Sequence, residues 1–142
     1  MDDNALILIV VIAILIIMSA YFSATETAFS SLNKIKLKNL AANGSKRAEN
    51  TINLDKKFDS ILSTILIGNN IVNIASASIA TIVFTKYYGD AGVTISTIVM
   101  TIVVLIFGEI SPKSLSKESP EKFAMFSTPI LKILMMLYQI HI

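Results

Sequence analysis

"IVVLIFGEISPKSLSKE" (residues 102–118) passes from an apolar run to a polar one with no transition between them. The run ends in Gly108, a carboxylate at Glu109 and a proline at Pro112. A charge at the rim of so apolar a stretch needs a partner or a task. Gly108 and Pro112 both disfavour a continuous helix. Proline offers no amide, and its ring displaces the carbonyl four residues earlier, which is that of Gly108. Ser111, just before it, is biased toward extended backbone. The stretch therefore predicts a broken helix at the Gly-Glu-x-x-Pro-Lys motif, with a freed carbonyl and a carboxylate at one place. At membrane depth such breaks occur where they line a cavity or bind an ion. The alternative is an ordinary helix end, with Glu109 paired to Lys113 one turn on.

The rest of the chain puts that stretch in a membrane. Of the 142 residues 54% are hydrophobic and none is cysteine, so disulfides and thiolate metal sites are excluded. The mean hydropathy of +0.69 is too high for a soluble domain of this size. Ala5–Thr25, Ser60–Thr85 and Ala91–Gly108 contain no charged residue. About 20 apolar residues cross a bilayer core, so three transmembrane helices are expected, at about 5–29, 60–85 and 92–108. The acidic start, "MDDNA", argues against a cleaved signal peptide. The fold class is an all-α membrane protein.

Charge sets the expected orientation. Lys34, Lys36, Lys38, Lys46, Arg47, Lys56 and Lys57 lie between the first two spans, and Lys113, Lys117, Lys122 and Lys132 follow the third. Only Lys86 lies between the second and third. The positive-inside rule then places the N-terminus outside, and residues 31–58 and the C-terminus in the cytoplasm, as in a multi-pass protein of the cell membrane. Basic residues beside spans point to membrane lipid rather than nucleic acid as a partner. Between the first two spans, "NGS" at 43–45 is a turn signal flanked by short amphipathic stretches. Two short juxtamembrane helices are expected there, a solvated loop being the alternative. Residues 123–142 contain Pro129 and Lys132, and are expected to form a kinked juxtamembrane or partly inserted helix. His141, alone, makes no metal site.

Polar residues within the spans form clusters. Ser19, Ser23 and Glu26 follow at i, i+4 and i+7 and share a helix face. Asn69, Asn70 and Asn73 lie close enough to converge near one face, next to Gly68. Both clusters have a packing alternative: small-xxx-small ladders bring helices together, and asparagines form interhelical hydrogen bonds. By the topology, both clusters and the Gly108–Glu109 pair lie in the cytoplasmic half of the membrane. Hydroxyl, amide, carbonyl and carboxylate oxygens suit a hard cation such as Mg²⁺, Ca²⁺ or an alkali ion, and one carboxylate is typical for magnesium.

"YFSATETAFSSLNKIKLKNL", "GNNIVNI" and "FGEISPKSL" resemble, in order and spacing, the membrane domain of the CorC/CNNM (cyclin M) family. The resemblance covers essentially the whole chain, 1–142. It implies a homodimeric magnesium exporter, with sodium exchange as the proposed driving force and Mg²⁺ held in an inward-facing cavity. By motif, the implied metal ligands are Ser19, Ser23, Asn73, Gly108 through its carbonyl, and Glu109. Glu26, Asn69 and Asn70 remain as supporting or sodium-binding candidates, and Pro112 as the helix break. Relatives often have glycine at the position of Ala24 and serine at that of Thr25. Full family members continue into a cytoplasmic CBS pair, so this chain is expected to be a truncated transmembrane domain. An enzyme is not expected, because the spans hold no histidine or cysteine from which to build a nucleophile–base pair. The alternative function is a membrane-anchoring scaffold or cation-sensing module without transport of its own.

Overall fold

The computed structural model describes the backbone of residues 3–141 and the side chains as far as Leu137. The first residues of the acidic start and the His141 side chain lie outside that range. Among the described residues every regular element is helical. They are α1 (Asp3–Ser30), α2 (Lys34–Ala42), α3 (Lys46–Asp55), α4 (Phe58–Tyr88), a 3-10 turn (Gly89–Ala91), α5 (Gly92–Val103), a π-helical segment (Val104–Ile110), α6 (Ser111–Glu118) and α7 (Pro120–His141).

Two helical runs are long and apolar enough to cross a membrane: Asp3–Ser30, and Phe58–Glu118 taken from α4 through α6. The second run is not one rod. A straight helix would hold Thr81 and Ser96 about 22 Å apart, yet their hydroxyls are 3.4 Å apart. The chain reverses at Gly89, whose φ of +63° is the left-handed conformation glycine tolerates best. At Gly92 a Cβ would sit 2.6 Å from the Phe84 carbonyl, so only glycine lets the two arms start this close.

The chain divides into two compact units. The first comprises α1 as far as Ser23 together with Gly68–Pro112. Its exposure pattern is the inverse of a soluble domain's. Ile17 is 68% exposed and Ile74 also 68%, while Ser19 and Ser23 are 1% and 2% exposed. Polar residues turned inward and aliphatic ones outward fit a lipid surrounding.

The second unit comprises Ala24–Ile67 and the chain from Lys113 onward. The two short helices expected around 43–45 are α2 and α3. Asn33 caps α2 by accepting from the Lys36 amide at 3.1 Å, and Ser45 caps α3 by accepting from the Ala48 amide at 3.2 Å. Such caps each contribute about 1 kcal/mol. Gly44, at φ +100°, makes the turn between them. Leu37, Ile61, Ile65 and Leu131 are fully buried and form the centre of this unit. Each contributes about 1.5–3 kcal/mol by leaving water.

The expected break in the third apolar run takes a different form. Helical backbone continues through Gly108 and Pro112, widened into a π-helix over Val104–Ile110. The Ser111 amide donates to the Ile106 carbonyl, five residues back. That wider turn lets the chain pass a residue without an amide while staying helical. Pro112 still leaves the Gly108 carbonyl without its usual α-helical donor. The chain departs from helix later, at Ser119. α7 runs through Pro129 without interruption.

Candidate functional site

The first unit brings four of the sequence candidates together. Ser19, on α1, donates its hydroxyl proton to Asn69 Oδ1 on α4 at 3.0 Å. Asn73, one turn along α4, donates from Nδ2 to the same oxygen at 3.4 Å. Gly108, in the π-helical segment, packs so closely that a Cβ there would lie 3.1 Å from Ser19 Oγ. Residues distant in sequence, on α1, α4 and the π-segment, thus meet at one point. Phe22, also on α1, covers the neighbouring Gly68, whose Cβ would lie 2.7 Å from the ring tip. Glycine at 68 and 108 is what allows α1 this approach.

The protons in this cluster all run one way. Asn69 Oδ1 receives both donors, which leaves the lone pairs of Ser19 Oγ and Asn73 Oδ1 unused. Asn73 Oδ1 is buried and has no hydrogen-bond partner. An acceptor in that condition costs about 1–3 kcal/mol. Asparagine retained there, rather than a leucine of similar bulk, presents an acceptor to something that is not a protein donor. The arrangement leaves lone pairs open on Ser19 Oγ and on the buried Asn73 Oδ1, which suits a hard cation.

Glu109 follows Gly108 directly and is half-buried. Ion pairs form at Lys34–Asp55, 3.6 Å, and Lys36–Glu121, 3.7 Å, and none joins Glu109 to Lys113. The pairing that the sequence allowed is therefore not formed. Among the described residues no three His, Cys, Asp or Glu side chains cluster as a metal site. A cation in the first unit would depend on neutral oxygens and this one carboxylate.

The remaining candidates are placed as follows. Ser23 is buried one turn beyond Ser19, on the part of α1 that belongs to the first unit. Asn70 is exposed and does not join Asn69 and Asn73. One residue along a helix is a rotation of about 100°, so the three asparagines do not converge as the spacing had allowed. Glu26 is half-buried and belongs to the second unit. Asn69, a supporting candidate in the sequence, is the hub on which both donors converge. Its i, i+4 spacing from Asn73 was the available signal.

An open groove of about 260 Å³ begins at Asn73 and follows the reversed arms of α4 and α5 past Thr81, Ser96, Thr97 and Thr101. Thr81, Thr97 and Thr101 donate to carbonyls of their own helices at 3.0, 2.9 and 2.6 Å. Their protons are used in this way, so these three threonines can meet the groove only as acceptors.

The transmembrane N-terminal domain family of cyclin M matches residues 10–140. A UPF0053 protein of Haemophilus influenzae is 44% identical over 131 residues, 92% of this chain and 31% of that protein. The UPF0053 inner membrane protein YfjD of Escherichia coli is 46% identical over 121 residues, 83% of this chain and 28% of that protein. A chloroplastic DUF21 domain-containing protein of Arabidopsis thaliana is 35% identical over 133 residues, 92% of this chain and 20% of that protein. The chain thus spans less than a third of the length of these relatives.

Proposed function

The chain belongs to the cyclin M transmembrane-domain family, and on that footing we propose that it binds Mg²⁺ from the cytoplasm and exports it, with Na⁺ as the coupled ion. Three helices cross the bilayer in this reading: α1, α4, and α5 with its π-helical continuation. The N-terminus and the Gly89 turn face outward, while α2, α3 and the end of the chain face the cytoplasm. The membrane is the cell membrane.

Mg²⁺ is cargo here. Ser19, Ser23, Asn73 and the Gly108 carbonyl replace waters, and Glu109 offsets the charge. Magnesium gives up water reluctantly, so its ligands have to be set in advance. Asn69 does this by accepting the protons of Ser19 and Asn73 and turning their lone pairs away from itself. Glu26 and Asn70 remain candidates for the sodium ion. A second copy of the chain pairs through small-residue faces such as Ala75–Ala80. The observation that supports the reading is the buried, unpartnered Oδ1 of Asn73 beside Ser19 and Gly108.

The Ser19–Asn69 hydrogen bond favours a second reading, in which the cluster only holds α1 to α4 within a scaffold or sensor. Calorimetric titration of the detergent-purified protein with Mg²⁺ separates the two, with Ca²⁺ and Na⁺ as competitors. Saturable binding that both Glu109→Gln and Asn73→Ala abolish, with helicity kept, is the expected result. Binding unchanged in both variants, or absent in the wild type, returns the cluster to helix packing.

A further inference from the structure

Lys132 sets a charge into an apolar stretch of the final helix. It interrupts the apolar sequence "ILKILMML" (130–137). Lys132 lines a cavity of about 350 Å³ within the second unit, between α3 and α7. Its walls are Asn53, Leu54 and Lys57 on one side and Lys132, Met135 and Met136 on the other. Two exposed lysines from separate elements therefore border one space.

Neither lysine is paired with an acid. The ion pairs of this unit are Lys34–Asp55 and Lys36–Glu121, and no carboxylate lines the cavity. Two like charges brought together without a counter-charge repel unless an anion lies between them. The cavity also contains Asn53, which supplies amide hydrogens, and two methionines, whose flexible thioethers adapt to apolar chains.

Depth identifies the anion. Lys57 immediately precedes α4, the start of the second run apolar enough to cross a membrane. It therefore stands at the level where apolar core gives way to headgroups. Lys132 shares its cavity and hence its level. Ile133, Met136 and Leu137 are exposed beside it on α7, a surface for acyl chains. We propose that the α3/α7 cavity is a binding site for a phospholipid with a net negative headgroup, its phosphate held between Lys57 and Lys132 and its acyl chains along Met135, Met136 and the exposed face of α7. The site is independent of the cation cluster and stands or falls without it.

The test is native mass spectrometry of the detergent-purified protein titrated with phosphatidylglycerol or with phosphatidylcholine of the same acyl chains. The wild type should prefer phosphatidylglycerol by roughly 25-fold, about fivefold for each lysine near the headgroups. The Lys57→Gln/Lys132→Gln variant should lose that preference, and Lys57→Arg/Lys132→Arg should keep it. Lys38→Gln/Lys46→Gln removes the same charge from positions outside the cavity and should leave the preference intact. Thermal melting of every variant checks folding, and the arginine pair keeps the test decisive if the glutamine pair unfolds. An unchanged preference in the glutamine pair, or an equal loss in the control pair, overturns the site. Millimolar inorganic phosphate should not displace the lipid. Displacement would mean that the cavity holds free phosphate and that the acyl contacts contribute nothing.

Discussion

The two units bury the same kind of residue to different effect. In the second, buried hydroxyls close on each other or on backbone. Thr51 and Thr128 are 2.8 Å apart, Thr25 and Ser127 are 3.4 Å apart, and Ser116 donates to the Ala24 carbonyl at 2.6 Å. In the first, Ser76 and Ser96 close likewise, on the Asn73 carbonyl and on Thr81 Oγ1, but Asn69 Oδ1 takes two donors and Asn73 Oδ1 takes none. Small polar residues in an apolar chain are ambiguous as a class. The accounting of protons separates those that hold helices together from those that leave an acceptor open. Glu121 in the second unit is the exception, because its Oε2 is buried without a partner while Oε1 faces Lys36.

The comparison breaks most visibly at Asn73. Asn73→Leu removes an acceptor that the fold does not satisfy, so stability should rise by about 1 kcal/mol. Mg²⁺ affinity should fall by roughly 100-fold or more, at or beyond the upper range for losing even an outer partner of a metal site. Thermal melting and calorimetry on the same sample read both. A gain in stability with a loss of binding marks a residue kept for function at a structural cost. A loss of stability would show that Asn73 is glue, as Thr51 is, and the contrast between the units would fail.

Why the sequence revealed part of this can be traced to particular residues. Apolar runs located α1 and α4, and Asn43-Gly44 located the turn between α2 and α3, because hydropathy and positive φ leave local marks. Ser19, Asn73 and Gly108 were found from helical spacing and from a motif. The role of Asn69 was not legible, because spacing says which side chains share a face and not which oxygen accepts. Asn70 was grouped with its neighbours because its three-residue spacing from Asn73 allows a shared face, although it is turned about 100° from Asn69. The π-helix was hidden too: glycine and proline signal that a regular helix is disfavoured, but not whether the chain breaks or widens. The burial of Ser127 and Thr128 went unread because a polar pair at the centre of a packed unit looks, in sequence, like a helix's wet side.

The closed hydroxyl pairs give a smaller effect with a different signature. Thr51 also donates to the Arg47 carbonyl at 2.8 Å, and Thr128 to that of Ala124 at 2.8 Å. Two protons therefore serve three contacts, and the Thr51–Thr128 contact is shared among alternatives. Thr51→Val keeps the shape and leaves Thr128 its own backbone acceptor. The expected loss is about 1–2 kcal/mol, from one hydrogen bond and a partly stranded oxygen. Chemical unfolding in detergent should report it, and Mg²⁺ affinity should stay at the wild-type value. A change in affinity would mean that the second unit's packing sets the cation cluster.

The smallest effect is expected at the exception. Glu121 is 7% exposed, which would make it costly if its charge had no partner. Its partner is a poor anchor: the Lys36 side chain is 63% exposed and its Nζ stands 3.7 Å away. Water and salt screen a pair held so loosely. Lys36→Met should therefore cost less than about 1 kcal/mol, and the difference from wild type should shrink further as ionic strength rises. Melting curves at low and high salt measure both. A larger, salt-independent loss would mean that Lys36 neutralises a carboxylate the second unit cannot otherwise hold. The second unit would then contain an open acceptor of its own, awaiting positive charge as the first does, and the contrast between a closed unit and an open one would fail.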